Sequence, residues 1–131
     1  MKVVLANGCF DLLHAGHVAH LKEARAMGDR LIVALTADEH VNKGPGRPVW
    51  PWLVRCNALL ELPCVDSVVI SESAAEAILK VRPAIFVKGC DYSLCSLAEP
   101  DIHACAKVGA EIRFTTSGKR STTEIIERMR A

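Results

Sequence analysis

Apolar residues recur along this chain with two different periods. Lys2 to Ala6 (KVVLA), Arg30 to Leu35 (RLIVAL), Ser67 to Ile70, Ala84 to Val87 and Glu111 to Phe114 are short runs of strand length, most of them rich in β-branched residues. Alternating with them, Val18 to Met27, Val54 to Leu62, Ala74 to Val81, Ile102 to Val108 and Thr122 to Met129 carry apolar residues three or four apart, the spacing of one helical face. Strands that alternate with helices form parallel βαβ units and a sheet covered on both faces. The pattern predicts one α/β domain over residues 1–131: a doubly wound, Rossmann-like parallel five-stranded sheet with helices on both faces. Ligands bind such sheets beyond the carboxyl ends of the strands, where the strand order reverses. That rule would gather residues 7–17, 88–92 and 117–123 at one place.

The first of these segments, NGCFDLLHAGH, runs from a strand through a turn into a helix that opens with His14 and His17. The first turn of a helix leaves backbone N–H groups unpaired and carries partial positive charge, so a phosphate is stabilised there. Gly8 and Gly16 remove side chains that would block its approach. His14 and His17, three apart, share a helical face and can offer N–H donors to one ligand. A solvent-facing pair or two ligands of a metal are the alternatives, although no third ligand stands nearby in a His-Glu-x-x-His arrangement.

Other segments bear on the same chemistry. Residues 43–52 (KGPGRPVWPW) hold too many prolines and glycines for regular structure, so they form a loop whose Lys43 and Arg47 could neutralise phosphate, or an ordinary solvated turn. Trp50 and Trp52 could stack on a base or anchor the loop against the core. In VKGCDY, Asp91 could accept hydrogen bonds from ribose hydroxyls, or simply form a turn. Ser121 and Glu124 are spaced as a capping box, and Ser121, Thr122 and Thr123 beside Lys119 and Arg120 can also form a phosphate cradle.

A chain of 131 residues with half of them apolar can bury one core. A net charge of +1, from 16 basic and 15 acidic residues, gives no electrostatic reason to expect nucleic acid or a membrane surface as partner. No apolar run approaches the ~18 residues of a membrane span, and the opening residues do not read as an export signal, so a cytoplasmic location is expected. Six cysteines without a Cys-x-x-Cys pair read as small hydrophobes or free thiols. Cys90, Cys95, His103 and Cys105 lie close in sequence but off the usual zinc spacings, and no metal site is assigned.

The His14-Ala-Gly-His17 element after a strand resembles the signature of the cytidylyltransferase-like nucleotidyltransferases. The order NGCFDLLHAGH, GDRLIV, KGPGRP, VKGCDY and RSTTEII is most similar to the bacterial adenylyltransferases that act on D-glycero-D-manno-heptose 1-phosphate in lipopolysaccharide inner-core synthesis. The resemblance covers nearly the whole chain. It implies catalytic roles for His14, His17 and Lys43, nucleotide contacts from Cys9, Phe10, His14, His17, Arg55, Asp91, Ser121, Thr122 and Thr123, and acceptor contacts from Asp11 and Lys88. It also implies Mg2+ accompanying the triphosphate, small-molecule substrates and a homodimer. Trp52, Val54 and Cys90 depart from that family's usual residues.

The expected reaction is nucleotidyl transfer, AMP from ATP to a sugar phosphate with release of pyrophosphate. Alternatives are CTP-dependent transfer to glycerol 3-phosphate, adenylylation of flavin mononucleotide, or a noncatalytic nucleotide-binding domain.

Overall fold

The computed structural model describes residues 1–41, 46, 48–89 and 97–116. Five strands, β1 (Val3–Gly8), β2 (Arg30–Thr36), β3 (Ser67–Ser71), β4 (Ile85–Lys88) and β5 (Glu111–Phe114), form one parallel sheet in the order β3-β2-β1-β4-β5. Helices α1 (Ala15–Ala26), α2 (Trp52–Leu60), α3 (Ala74–Val81) and α4 (Glu99–Val108) make the connections, with a short 3-10 turn at Asp38–His40. The predicted helix from Thr122 to Met129 lies outside the described residues. Among the described residues no helix is long and apolar enough to cross a membrane.

The strand period of two divides the core. Val4 and Ala6 of β1 join Leu31, Val33 and Leu35 of β2 under Leu21 and Ala24 of α1 and Leu59 of α2. Leu5 and Ala34 point the other way, onto Ala77 and Ile78 of α3 and Ala104 and Cys105 of α4. Both faces of the sheet are therefore covered, as the apolar runs require.

The boundaries differ from the periodicity by a few residues, for local reasons. β1 extends to Gly8 because its ladder with β2 continues to the pair Gly8 and Leu35, and Asn7 Nδ2 bonds Ala34 O and Ser71 Oγ across three strands. α2 starts two residues early, after Pro51, whose φ of −65° is already close to helical. α4 starts three residues early, with Pro100 in its first turn, where a missing N–H costs nothing.

Candidate active site

The strand order places β1 between β2 and β4, so successive connections leave it in opposite directions and a crevice opens at the carboxyl ends of β1 and β4. The chain between β1 and α1 is strained there. Phe10 and Leu12 take left-handed backbone angles, φ 44° and 56°, which cost roughly 1 kcal/mol or more each without glycine. Packing and hydrogen bonds hold the turn against that cost. Phe10 is buried in the core cluster beneath α1 and α2. The Asp11 carboxylate accepts the N–H groups of Val49 at 2.7 Å and Trp50 at 3.0 Å. A Cβ at Gly8 would lie 3.0 Å from the Phe10 ring, so this glycine makes room for the ring instead of clearing a path for a ligand, which corrects the sequence expectation.

His14 is the N-cap of α1, in extended conformation, and its Nδ1 accepts the Gly16 N–H at 3.0 Å. The His17 Nδ1 reaches back to accept the His14 N–H at 3.2 Å, completing a capping box built from two imidazoles. The rings stack with centroids 3.9 Å apart, and the Phe10 ring meets His17 edge-on at 5.5 Å. With both Nδ1 atoms accepting, the ring proton of each neutral imidazole sits on Nε2, which makes each Nε2–H a donor of fixed direction. Both rings are half-buried, turned neither into the core nor out to bulk water. The first turn of α1 carries no acidic residue to offset its partial positive charge.

Lys88 closes β4 on the other side of the crevice, half-buried, with Nζ 5.6 Å from the Phe86 ring centroid. Burial pushes its pKa below the usual lysine range, and the Asp101 carboxylate opposes that shift. One turn after His17 comes His20, also half-buried and kept below the ordinary histidine range by burial, with Glu23 opposing and Lys88 reinforcing. His20 belongs to no motif of the sequence. The signal was its spacing of three from His17 on the same helix.

A second polar cluster lies toward β2. Arg55 is wholly buried, and its guanidinium donates to Trp50 O at 3.0 Å, Cys9 O at 2.8 Å and Asp38 Oδ1 at 2.6 Å. This corrects the expectation of a guanidinium extended to nucleotide phosphates: its Nε, Nη1 and Nη2 all bond protein, and they tie the strained turn to the start of α2. Asp38 was missed because its partner lies 17 residues away in sequence. Asp11, expected to face the acceptor, is buried and uses both oxygens on the same loop. Trp52 Nε1 donates to Leu35 O at 3.0 Å and its ring packs on the core, which makes it the loop anchor and not a base platform. Phe10, expected against the nucleotide, turns its ring inward to support His17.

A family model described as cytidylyltransferase-like matches residues 5–128. The chain belongs to the cytidylyltransferase-like family. It is 46% identical, over 98% of its length, to the bifunctional protein HldE of Ectopseudomonas mendocina, and 44% identical to that of Azotobacter vinelandii. In both cases it spans only 28% of the relative's length. A crystal structure of the lipopolysaccharide core biosynthesis protein from Thermoplasma volcanium superposes with a TM-score of 0.76 at 27% identity, covering 89% of this chain and 98% of that one. Pantothenate synthetase from Thermus thermophilus shares the fold alone, at 16% identity and a TM-score of 0.58.

In this cytidylyltransferase-like domain the tertiary structure thus brings His20, Lys88 and the half-buried Cys9 near one another, one helical turn along α1 from His17. Lys43, Asp91, Ser121, Thr122 and Thr123 lie outside the described residues, as do Arg47, Cys90, Cys95, Lys119 and Arg120. Cys105 is buried under α4, where burial pushes its thiol up to about 11.

Proposed function

We propose that this domain transfers AMP from ATP to the phosphate of a sugar phosphate such as heptose 1-phosphate, releasing pyrophosphate. The observation that carries the reading is the stacked pair His14 and His17 at the start of α1, with both Nδ1 atoms held by backbone N–H groups so that the two rings are fixed in orientation. The relatedness to bifunctional HldE proteins and to a lipopolysaccharide core biosynthesis protein supports a sugar-phosphate acceptor.

In this mechanism an oxygen of the sugar phosphate attacks the α-phosphorus in line. The bond from that phosphorus to the bridging oxygen breaks, and its electron pair leaves with pyrophosphate. No covalent enzyme intermediate is needed, so catalysis is positioning and charge stabilisation. The imidazole Nε2–H groups donate to the bridging and nonbridging oxygens, where charge builds as the bond breaks. Lys88 places a cation across the crevice for the acceptor phosphate. Lys43, Asp91 and the Ser121, Thr122, Thr123 group complete the nucleotide contacts in this reading, with the backbone around Cys9 lining the turn.

Magnesium would enter with the triphosphate and neutralise its charge. Asp11 already accepts from Val49 and Trp50, and among the described residues no cluster of carboxylates, histidines and cysteines forms a metal-binding set. The ion would arrive with the triphosphate and would supply charge neutralisation there, and no step rests on it.

The domain is further proposed to act in the cytoplasm as a homodimer. Exposed Leu53, Val54 and Leu60 on α2 and Ile70 on the edge strand β3 offer apolar surface for the second copy. Analytical ultracentrifugation tests the dimer, which a monomer at tens of micromolar would rule out.

The decisive assay measures pyrophosphate release with ATP, CTP or GTP, each paired with heptose 1-phosphate, glycerol 3-phosphate or flavin mononucleotide. ATP with heptose 1-phosphate is expected to be fastest. Nucleotide binding without release in every pairing would replace the enzyme by a nucleotide-binding domain.

A further inference from the structure

Strand β4 outruns its ladder with β1. That ladder ends at the pair Ala6 and Val87, whereas the pairing of β4 with β5 continues to Lys88 and Phe114. The main chain of Lys88 is therefore held from the β5 side, where the Thr115 N–H donates to Lys88 O at 3.0 Å. Thr115 is itself buried, and its hydroxyl lies 2.7 Å from His20 Nδ1 on α1. Beside it, the Glu23 carboxylate accepts the Thr116 N–H at 2.7 Å and the Thr116 hydroxyl at 2.9 Å. One residue, Thr115, thus meets the helix through its side chain and the lysine strand through its main chain.

These two contacts join opposite faces of the sheet. Helix α1 packs on the face that holds Val4, Ala6 and Val87. Phe86 lies on the other face with α3 and α4, and Lys88, two residues on, shares that face. Its Nζ lies 5.6 Å from the Phe86 ring centroid, and the Asp101 carboxylate of α4 favours its charged form. The helix that carries His14 and His17 and the lysine ammonium therefore belong to different layers, and Thr115 transmits the position of one to the other. A misplacement of ~1 Å in a positioned group can cost up to about 100-fold in rate, so a strand end left loose would be felt at the ammonium.

We propose that Thr115, fixed by His20, positions Lys88 for the phosphate of the acceptor, so that the histidine helix and the lysine ammonium are set at one separation before substrate arrives. The inference rests on the nucleotidyltransferase reading for its ligand, a phosphate monoester, while the coupling itself can be measured without catalysis. His20 and Thr115 are positioning residues that act through Lys88. Their loss falls on acceptor capture and leaves ATP capture alone.

The test uses the full chain. The ring Nδ1 of histidine and the side-chain amide of asparagine stand equally far from Cβ, so His20→Asn keeps a polar atom opposite Thr115, His20→Gln places it one bond too far, and His20→Leu removes it. Thr115→Val keeps the shape and removes the hydroxyl, and Thr115→Ser keeps the hydroxyl. Hydrogen exchange at the residue 115 amide, without substrate and relative to each sequence's intrinsic rate, should quicken about tenfold in His20→Leu, His20→Gln and Thr115→Val, and stay near the parent in His20→Asn and Thr115→Ser. With ATP and the acceptor that turns over, acceptor KM should rise roughly tenfold in the same three variants and recover in the other two, with ATP KM within about twofold of the parent. In a Lys88→Met background, His20→Leu should change acceptor KM by less than about twofold, because the group it positions is already gone. Unchanged exchange in both His20→Leu and Thr115→Val overturns the coupling. Quickened exchange with a parental acceptor KM, or a full further loss in the Lys88→Met background, overturns the positioning role. If no pairing of substrates releases pyrophosphate, the enzyme reading fails by itself, and dissociation constants for heptose 1-phosphate replace KM: roughly tenfold weaker binding in Thr115→Val supports the inference, and equal or undetectable binding in parent and variant overturns it.

Discussion

Two groups of polar residues flank the carboxyl end of β1, and their side chains have opposite fates. Toward β2, Asp11, Asp38 and Arg55 bond main chain and one another: the guanidinium is fully buried with three bonded nitrogens, and the Asp11 oxygens hold two loop amides. Toward β4, His14, His17 and Lys88 stay half-buried at a helix start and a strand end, with imidazole donors fixed in direction. The first group spends its charge on the strained turn at Phe10 and Leu12, and the two histidines of the second open the helix that follows it, with His17 against the Phe10 ring. A charged residue inside a motif thus serves as a strut where the protein itself meets its hydrogen-bonding capacity, as it does at Arg55.

The sharpest division comes from the histidines. His14→Asn keeps a cap acceptor and His17→Gln keeps the reach-back bond, so each should fold with stability within ~1 kcal/mol of the parent. Each should lose on the order of 10²- to 10³-fold in kcat, since the Nε2 donor is gone. Near-parental turnover in both would move these residues into the structural group.

Arg55→Met should behave in the reverse manner. It leaves Asp38 and two carbonyls without their buried partner and should destabilise by ~3 kcal/mol in chemical denaturation, the lower end for a pair whose aspartate is partly exposed. An unchanged denaturation midpoint would contradict the strut assignment.

Lys88→Met sharpens the contrast through pH. Because burial lowers the lysine pKa in the folded chain, the charged form is disfavoured on folding. That penalty is complete below the lowered pKa and disappears as pH rises through it toward 10.5, the unperturbed value. Methionine keeps the stem and removes the charge, so the variant should be as stable as the parent or up to ~1 kcal/mol more stable at pH 7. The advantage should vanish near pH 10.5, while acceptor KM rises at neutral pH. A variant that is clearly less stable at pH 7 would show the lysine to be a strut after all.

The smallest effect belongs to Trp52→Phe, which removes the bond to Leu35 O and keeps most of the packing. It should cost about 1 kcal/mol and leave ATP affinity unchanged; weaker ATP binding at unchanged stability would restore a base-stacking role.

Much of this architecture is legible in the order of residues because it rests on local periodicity. The α3 boundaries, Ala74 to Val81, and those of β5, Glu111 to Phe114, coincide with the pattern, since apolar spacing and a Ser73 cap decide them within a few residues. The His14 and His17 pair was equally readable, because i and i+3 on a helix always share a face. Arg55 and Asp11 escaped a local reading for the converse reason: their partners, Cys9, Asp38, Val49 and Trp50, are brought to them by long-range folding or by an irregular loop, and the bond to Leu35 likewise decides between the two roles open to Trp52. His20 and Glu23 escaped notice on the same ground, their partners being 95 and 93 residues away.

By itself the sequence settles what short-range sterics and hydrophobic spacing control: five strands, the helices between them, and two imidazoles presented on one face of the first helix. Which charges remain available to a ligand is decided only in three dimensions. Desolvation and hydrogen-bond satisfaction depend on every group that packs around a side chain, and most of those groups are remote along the chain.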